Sequence, residues 1–341
     1  MRKNGWILFL LTICGCLISQ NKYRIENKIK VEGDGGWDYL VADGTNNRLF
    51  VSHGNVVQIV DVNTGKLIHT ITDTKGVHGI ALAPDINKGF ISNGKDTSVI
   101  VFNYETFKVT NKIKVSGVNP DAILYDTFSH QVFVYNGKSA NATVIDANSE
   151  KVKATIPLSG KPEFSVTDEK GNIFVNIEDK NCVALINAKT LVVEKYYLLN
   201  GGEEPTGLAL DNLNHRLFIV CGNKKMIVMN ALNGSIVATL PIGDGCDGVV
   251  YDKELNRVYS SNGEGNITVV EELNENQFKV IETIQTQKGA RTITLNSKTH
   301  HLFTPTADFE SAPKEATADN PKKRSKIKSG SFLIMDIALE K

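Results

Sequence analysis

One short pattern occurs seven times along the chain, and this repeat constrains the fold more than any other feature. Each copy is a β-rich run around an aromatic residue, as in RLFVS, QVFVY and RLFIV. The aromatic residues follow one another at intervals of 40, 43, 41, 44, 41 and 44 positions, and they are Phe50, Phe90, Phe133, Phe174, Phe218, Tyr259 and Phe303. A period of about 40–45 residues is typical of the blades of a β-propeller.

Each repeat unit contains further β-rich runs besides the one around the aromatic residue. A run such as YLVAD precedes it, a run such as VQIVD follows it, and a more polar run such as KVKATI closes most units. Short runs rich in Val and Ile, separated by Asn, Asp and Gly, are typical of antiparallel strands. The sequence therefore predicts an all-β, seven-bladed β-propeller with four antiparallel strands per blade.

The seventh unit has only three of the four runs before the last residue, Lys341. Residues 23–31 (YRIENKIKV) resemble the fourth run of the sixth unit (KVIETI). We therefore expect the N-terminal strand to complete the last blade, because this closes the ring and removes exposed strand edges. Residues 20–341 are expected to form this single propeller domain.

Residues 1–19 have the pattern of an export signal. Arg2 and Lys3 precede the apolar run GWILFLLTICGCLI, which is too short to span a bilayer comfortably. Cleavage after Ser19 would give a soluble protein, whereas the ICGC segment resembles a lipobox in which Cys16 would be lipidated. Both alternatives predict export, to the periplasm, to the outer membrane through a lipid anchor, or to the exterior.

Neither the overall charge nor the cysteine spacing points to a particular partner or metal motif. Acidic and basic residues balance at 38 each, so net charge favours neither a nucleic-acid partner nor a membrane surface. Cys182, Cys221 and Cys246 remain after the export signal, and their spacing matches no zinc motif or disulfide framework. Cys221 and Cys246 are both expected on the funnel side, and a single disulfide between them stays an open alternative.

Ten segments of the chain carry a family resemblance: GWDYL, SHG, GVHGIA, NPDAI, GKPEF, NIEDK, IGDGCDG, SNGEG, GARTIT and PTADF. On these segments the repeat resembles the YVTN β-propeller repeat family, and the chain as a whole resembles its exported, YncE-like members. The resemblance covers nearly all of residues 21–341. It implies a seven-bladed propeller outside the cytoplasm, and it implies no single biochemical activity.

A first set of acidic and amide residues ends the first strand of most units and leads into a tight turn. Asp and Asn are favoured there because their side chains bond backbone groups two residues further on. We interpret this set as turn-forming, and its members are Asp43, Asp126, Asp168, Asp211, Asp252 and Asn296.

A second set lies five residues before these aligned positions, where the first strand of each unit begins. The first strand of a propeller blade is innermost, so this set is expected to surround the mouth of the central channel. Six of its seven members are ionisable, which packing alone does not require. The set is Asp38, His78, Asp121, Glu163, Thr206, Asp247 and Arg291. We expect His78 to have Asp38 and Asp121, one blade away on either side, as its partners.

These residue types favour a cation or ligand site in the funnel. Acids that lie close together repel unless a proton or cation joins them. A divalent metal ion is the cofactor that this ring predicts, bound through oxygen and imidazole, and the candidate ligands are Asp38, His78, Asp121, Glu163 and Asp247.

Residues at the ends of the second strands are expected to face the same mouth. His53, Asn93, Asn136 and Asn262 would extend the ligand site with donors and acceptors, although Asn is also common in turns. Trp37, beside Asp38, is either an apolar wall for a ligand or a rim residue packed against the neighbouring blade.

Three functions remain open from the sequence. The first is an exported, monomeric protein that binds a small molecule or divalent cation in the funnel. The second is a metal-dependent, lactonase-like hydrolase or lyase at the same site, with His78 or His53 as general base. The third is polyanion or nucleic-acid binding through a long insertion at about residues 307–330 of blade 7, which contains the basic run at 322–328.

Overall fold

The computed structural model describes residues 22–311 and 325–340, and it contains seven four-stranded antiparallel sheets. The expected export signal, including Cys16, lies outside the described residues. No helix in the described part of the chain is long and apolar enough to cross a membrane. The helical content there consists of two short 3-10 turns, Pro84–Ile86 and Glu178–Lys180.

The first three blades follow one another in chain order, from the innermost to the outermost strand. Blade 1 consists of β2 (Trp37–Asp43), β3 (Arg48–His53), β4 (Val56–Asp61) and β5 (Leu67–Ile71). Blade 2 consists of β6 (Val77–Ala83), β7 (Lys88–Asn93), β8 (Ser98–Asn103) and β9 (Val109–Lys114). Blade 3 consists of β10 (Pro120–Asp126), β11 (Gln131–Asn136), β12 (Asn141–Asp146) and β13 (Lys151–Pro157).

The next three blades repeat this order. Blade 4 consists of β14 (Pro162–Thr167), β15 (Asn172–Ile177), β16 (Cys182–Asn187) and β17 (Val192–Leu198). Blade 5 consists of β18 (Pro205–Asp211), β19 (Arg216–Cys221), β20 (Lys225–Asn230) and β21 (Ile236–Pro241). Blade 6 consists of β22 (Cys246–Asp252), β23 (Arg257–Asn262), β24 (Asn266–Asn274) and β25 (Gln277–Gln285).

Blade 7 takes its strands from both ends of the described chain. From inside to outside it contains β26 (Thr294–Asn296), β27 (His301–Thr306), β28 (Leu333–Leu339) and β1 (Tyr23–Lys30). β1 pairs antiparallel with β28, from Tyr23 opposite Leu339 to Lys30 opposite Leu333. The predicted seven-bladed propeller and its closure by the N-terminal strand are therefore confirmed.

The core lies between successive blades. All seven repeat aromatic residues are buried, and the least buried of them, Phe174, has only 3% of its surface exposed. The outermost strands differ, because β9 exposes five of its six residues. This burial explains the sequence pattern, since inner strands covered on both faces read as continuous apolar runs while outer strands read as polar ones.

The acidic and amide residues at the ends of the first strands form turns, as the sequence predicts. The Asp126 carboxylate accepts from the backbone N–H of Ser129 at 3.0 Å, and the Asp211 carboxylate accepts from that of Leu213 at 2.9 Å. These acids form turns at the ends of the inner strands that lie opposite the channel mouth. The candidate site is therefore the second set of residues.

Candidate functional site

In blades 1 to 6, a β-bulge at the start of the innermost strand aims the side chain of the second set. In blade 1, Trp37 pairs with His53, but Leu40 pairs with Val51, so the inner strand contains one extra residue. Blades 2 to 6 show the same shift at the same place. Because a bulge bends its strand and redirects its side chains, Asp38 and its counterparts face the channel mouth as a polar ring. We call these seven residues the funnel ring.

Polar side chains of the second strands hold this bulged backbone. The Ser52 hydroxyl accepts from the backbone N–H of Asp38 at 3.1 Å and donates to the carbonyl of Tyr39 at 2.8 Å. Equivalent side chains in other blades donate to the carbonyl of the next blade's ring residue: Ser92 to Asp121, Asn176 to Thr206 and Ser261 to Arg291. Sequence reasoning missed these residues, and their signal is a polar residue two positions after the repeat aromatic.

Three members of the funnel ring converge on one point. The His78 Nδ1 atom lies 2.7 Å from Asp38 Oδ2 and 3.5 Å from Asp121 Oδ1. One ligand atom from each of the three residues falls within 4.8 Å of the others. Within residues 22–311 and 325–340, this is the only such trio of His, Cys and acidic side chains. Each residue comes from a different blade, in the order that the sequence predicts.

Each of the two remaining acids of the funnel ring contacts a cation. Arg291 forms an ion pair with Asp247, and its Nη2 atom lies 3.6 Å from Asp38 Oδ1. Lys161 contacts Glu163 with 2.6 Å between Nζ and Oε1, and it also pairs with Glu178. Lys161 lies outside the aligned ring position, so the sequence alone did not point to it. The ring therefore separates into two ion-paired sectors and the Asp38–His78–Asp121 cluster.

Burial and neighbouring charges shift the pKa values of Asp121 and His78 in this cluster. Loss of solvent raises the pKa of Asp121 to about 6, and the Asp38 carboxylate adds to this rise. Burial alone would lower the pKa of His78, but its hydrogen bond to Asp38 and the neighbouring carboxylates outweigh that effect and raise it. Perturbed groups of this kind cluster at functional sites, although structural ion pairs also produce them.

An aromatic pair narrows the channel directly below the funnel ring. Tyr39 of blade 1 and Phe164 of blade 4 contact each other across the axis, with ring centroids 5.4 Å apart. Three other blades carry glycine at the equivalent position, which leaves space for the two rings: Gly79, Gly207 and Gly248. A cavity of about 220 Å³ adjoins this pair. The funnel is therefore a cup with polar walls and an aromatic floor.

Burial and the carboxylates of the ring keep the floor phenol neutral. Loss of solvent raises the pKa of Tyr39 well above its usual value, and the negative charges of Asp121, Asp38 and Glu163 raise it further. Tyr39 therefore contributes a hydroxyl that is able to donate a hydrogen bond, rather than a phenolate.

Comparison with known proteins agrees with this architecture. No family model matches the chain. It is similar to the proteins named Uncharacterized protein YncE from Salmonella typhi and from Salmonella typhimurium, each 21% identical over 280 residues, covering 77% of this chain and 78% of the relative. The chain is a seven-bladed β-propeller that is similar to these YncE proteins.

Two solved structures share this propeller fold. One is Kuenenia stuttgartiensis hydrazine synthase, with a TM-score of 0.69 and 14% identity, covering 80% of this chain and 94% of that chain. The other is the mitotic checkpoint complex, with a TM-score of 0.75 and 12% identity, covering 100% and 99%. At such identities these similarities show the fold alone.

The asparagines expected to extend the funnel site are buried within their blades. Asn93, Asn136 and Asn262 have no exposed surface. Each side chain bonds within its own blade, as when Asn136 Nδ2 donates to Asn141 Oδ1 at 2.8 Å and Asn262 Nδ2 donates to Asn266 Oδ1 at 2.7 Å. The structure therefore places them between strands two and three instead of in the funnel, because the pleat turns this position into the blade.

His53 is also buried away from the funnel mouth. Its ring stacks on Phe332 with centroids 4.1 Å apart, and its Nδ1 lies 2.9 Å from Gln58 Oε1. Only 2% of its surface is exposed, and Nε2 has no hydrogen-bond partner among the described residues. This placement contradicts the expectation that His53 reaches a ligand in the funnel as a general base.

The buried position of His53 predicts a pH-dependent stability. Burial lowers the pKa of His53 below its usual 6.5, against the effects of Gln58 and Asp34. As the pH falls, His53 is therefore protonated in the unfolded chain before it is protonated in the folded protein. The neutral ring contributes its full stability above the unfolded pKa, and this contribution is lost as the pH falls through the folded pKa. We expect the wild-type melting temperature to fall more steeply than that of His53→Asn between about pH 7 and about pH 5.

Thermal melts across this range measure the effect. His69→Asn is the control, because His69 is exposed on β5, and it is expected to keep the wild-type slope. Parallel slopes for His53→Asn and the wild type would contradict the assignment.

Trp37 and Thr206 have partners that explain their positions. Trp37 packs against two blade-7 aromatic residues, Phe332 at 5.5 Å and Phe309 at 6.1 Å between ring centroids. Thr206 donates through its hydroxyl to the carbonyl of Cys246 at 3.1 Å. Trp37 thus packs against the neighbouring blade, while one of its faces also borders a groove that is described below.

Cys221 and Cys246 are adjacent but not bonded. Both are free, buried thiols, and Cys246 Sγ lies 3.1 Å from the carbonyl oxygen of Cys221. Burial raises the pKa of Cys221 to about 12 and that of Cys246 to about 11. Because only a thiolate reacts readily, these residues are unreactive packing groups in this structure.

The blade-7 insertion continues the blade as a narrow ribbon on the mouth side. Phe309 pairs with Ile327, and the N–H of Glu310 donates to the carbonyl of Lys326 at 2.8 Å. Residues 312–324 lie outside the described residues, and they include 322–324 of the basic run. Polyanion binding by that run stays a sequence prediction.

Proposed function

We propose that this protein is an exported binding protein that holds a divalent transition-metal ion in its funnel. The observation that carries the proposal is the convergence of Asp38, His78 and Asp121 from three successive blades, with their ligand atoms within 4.8 Å. A divalent ion would replace the proton that now joins His78 to two carboxylates.

The donor set favours transition metals over calcium. Imidazole and carboxylate together suit zinc, manganese, nickel or iron, whereas calcium prefers oxygen donors alone. Three protein ligands leave coordination positions facing the cup, and these would take water or a small molecule. Asp38, His78 and Asp121 have 17%, 29% and 17% of their side-chain surface exposed, so an ion would be able to enter from the mouth.

The enzyme alternative has weaker support. A hydrolase or lyase would need a general base besides the metal ligands. His78 is itself a candidate ligand, and His53 is buried away from the cup. Of the other ring acids, Asp247 is paired with Arg291. Glu163 contacts Lys161 while burial raises its pKa to about 8, which favours a protonated carboxyl over a base at neutral pH. The arrangement therefore favours binding over catalysis.

Metal titration tests the proposal. We expect the chelator-treated protein to bind Zn²⁺ or Mn²⁺ with one ion per chain in isothermal titration calorimetry, and its melting temperature to rise with added metal. His78→Gln removes the only nitrogen ligand, so we expect the affinity to fall by more than the about 10–100-fold typical of losing an outer partner.

His300→Gln provides the matched control. His300 also contacts two carboxylates, Asp252 through Nδ1 at 2.6 Å and Glu254 through Nε2 at 3.5 Å. These acids lie on opposite sides of its ring, so they do not converge on one ion, and this variant should bind metal like the wild type. Equal binding by His78→Gln and the wild type, or equal losses in both variants, would contradict a funnel site.

A further inference from the structure

A second concave surface lies beside the funnel ring, under the ribbon of blade 7. It encloses about 720 Å³, within the size range of small-molecule sites. We call it the ribbon groove. Its side-chain walls are Trp37, Lys288, Arg291, Phe309 and Ile327.

Glycines form much of the floor of the ribbon groove. Gly36, Gly263 and Gly289 line it with backbone alone. Gly289 has a φ of +90°, and a Cβ there would come within 2.7 Å of the Phe309 ring. A Cβ on Gly36, in contrast, would meet no atom within 4 Å, which shows open space above that residue. The floor of the groove is therefore formed by backbone, and the space above Gly36 is not filled by any side chain of the described residues.

Among the described residues, Lys288 gives the ribbon groove an unpaired positive charge, and the ion-paired Arg291 adds N–H donors. Lys288 and Arg291 line it, and the described lining residues include no acid. Lys288 is exposed, and no ion pair holds its ammonium group within residues 22–311 and 325–340. Arg291 uses Nη1 for Asp247 and directs Nη2 to the carbonyl of Trp37 at 3.4 Å, yet a guanidinium has five N–H donors and keeps some of them free.

Flat aromatic walls together with two cations define a ligand class. A ligand ring gains from offset or edge contacts with other aromatic rings, and Trp37 and Phe309, whose ring centroids lie 6.1 Å apart, both line the groove. A planar carboxylate matches the planar donor fork of arginine, and an ammonium group adds a second contact.

We propose that the ribbon groove binds a small aromatic carboxylate, with its ring against Trp37 and Phe309 and its carboxylate at Lys288 and Arg291. This site is separate from the metal ligands, and it does not rest on the proposed metal function. A molecule bound there would lie beside Arg291, which in turn contacts Asp38 of the cluster.

Tryptophan fluorescence tests the proposal directly. The chain contains two tryptophans, so Trp6→Phe leaves Trp37 as the only reporter. We expect benzoate, titrated in the presence of EDTA, to change this fluorescence saturably. Benzylamine, which carries the same ring with a positive charge, and acetate, which carries the same charge without the ring, should give no saturable change. Because EDTA removes metal, the result is independent of the funnel site.

Two variants in the Trp6→Phe background locate the binding. Lys288→Ala should raise the dissociation constant for benzoate about tenfold, while Lys195→Ala, an exposed lysine on β17, should leave it unchanged. Gly36→Leu should abolish binding, because the new side chain fills the open slot, with little change in melting temperature.

Equal responses to benzoate and benzylamine, or undiminished benzoate binding by Gly36→Leu, would overturn the proposal. If Gly36→Leu melts at a much lower temperature than the parent, the lysine variants provide the test. Equal dissociation constants for benzoate in Lys288→Ala and Lys195→Ala would then overturn the proposal.

Discussion

Replacing Asp121 by asparagine is expected to stabilise the metal-free protein at neutral pH. Burial raises the pKa of this carboxyl from 3.8 to about 6. The stability contributed by its protonated form is therefore present below the unfolded pKa and is lost as the pH rises through about 6. Asparagine cannot ionise, so the gain at about pH 7.5 should reach about 2–3 kcal/mol, and it should vanish at about pH 3.5.

Urea unfolding of chelator-treated protein at the two pH values measures this difference. Asp96→Asn is the control with the opposite sign, because Lys112 and Ser98 overcome partial burial and lower the pKa of Asp96. That variant should lose stability at neutral pH. If Asp121→Asn also loses stability at neutral pH, the carboxylate serves as a structural partner of His78 rather than as a strained group kept for binding. A gain in stability together with lost metal binding would be typical of a functional site.

The second large effect concerns ring closure. Replacing Ile29 by alanine should lower the free energy of unfolding by about 2–5 kcal/mol, because it leaves a cavity in a packed core. Ile29 on β1 is only 3% exposed. It packs in a cluster that joins blade 7 to blade 1 and includes Leu49, Phe303 and Phe332.

Denaturant unfolding of Ile29→Ala beside Lys28→Ala tests this effect. Lys28 is the exposed neighbour on the same strand, and its replacement should change the stability by no more than about 0.5 kcal/mol. Similar small losses in both variants would show that β1 frays independently of the ring.

Much of the fold was predictable because its determinants are local and repeated. The spacing of residues such as Phe50 and Phe90 fixes the blade length, and the fourth-run pattern at residues 23–31 identifies the closing strand. The same register identified the funnel ring, and it placed His78 between Asp38 and Asp121.

Which residues form the site was less predictable, because a one-residue bulge decides whether a side chain points into the channel or into the blade. The bulge after Trp37 aims Asp38 into the channel, whereas the unbulged end of β3 turns His53 into the blade. Lys161 reaches Glu163 from just outside β14, at a position that the ring alignment does not include.

The sequence by itself determined the number of blades, the order of their strands and the residue that each blade contributes to the channel mouth. These follow from a period along the chain, which is visible without any long-range contact. The tertiary structure decided which ring residues meet, which acids contact a cation, and that Tyr39 and Phe164 form a floor below them. Most of these contacts join side chains that lie about 40 or more residues apart in the sequence, and such distances exist only once the blades are arranged in a ring.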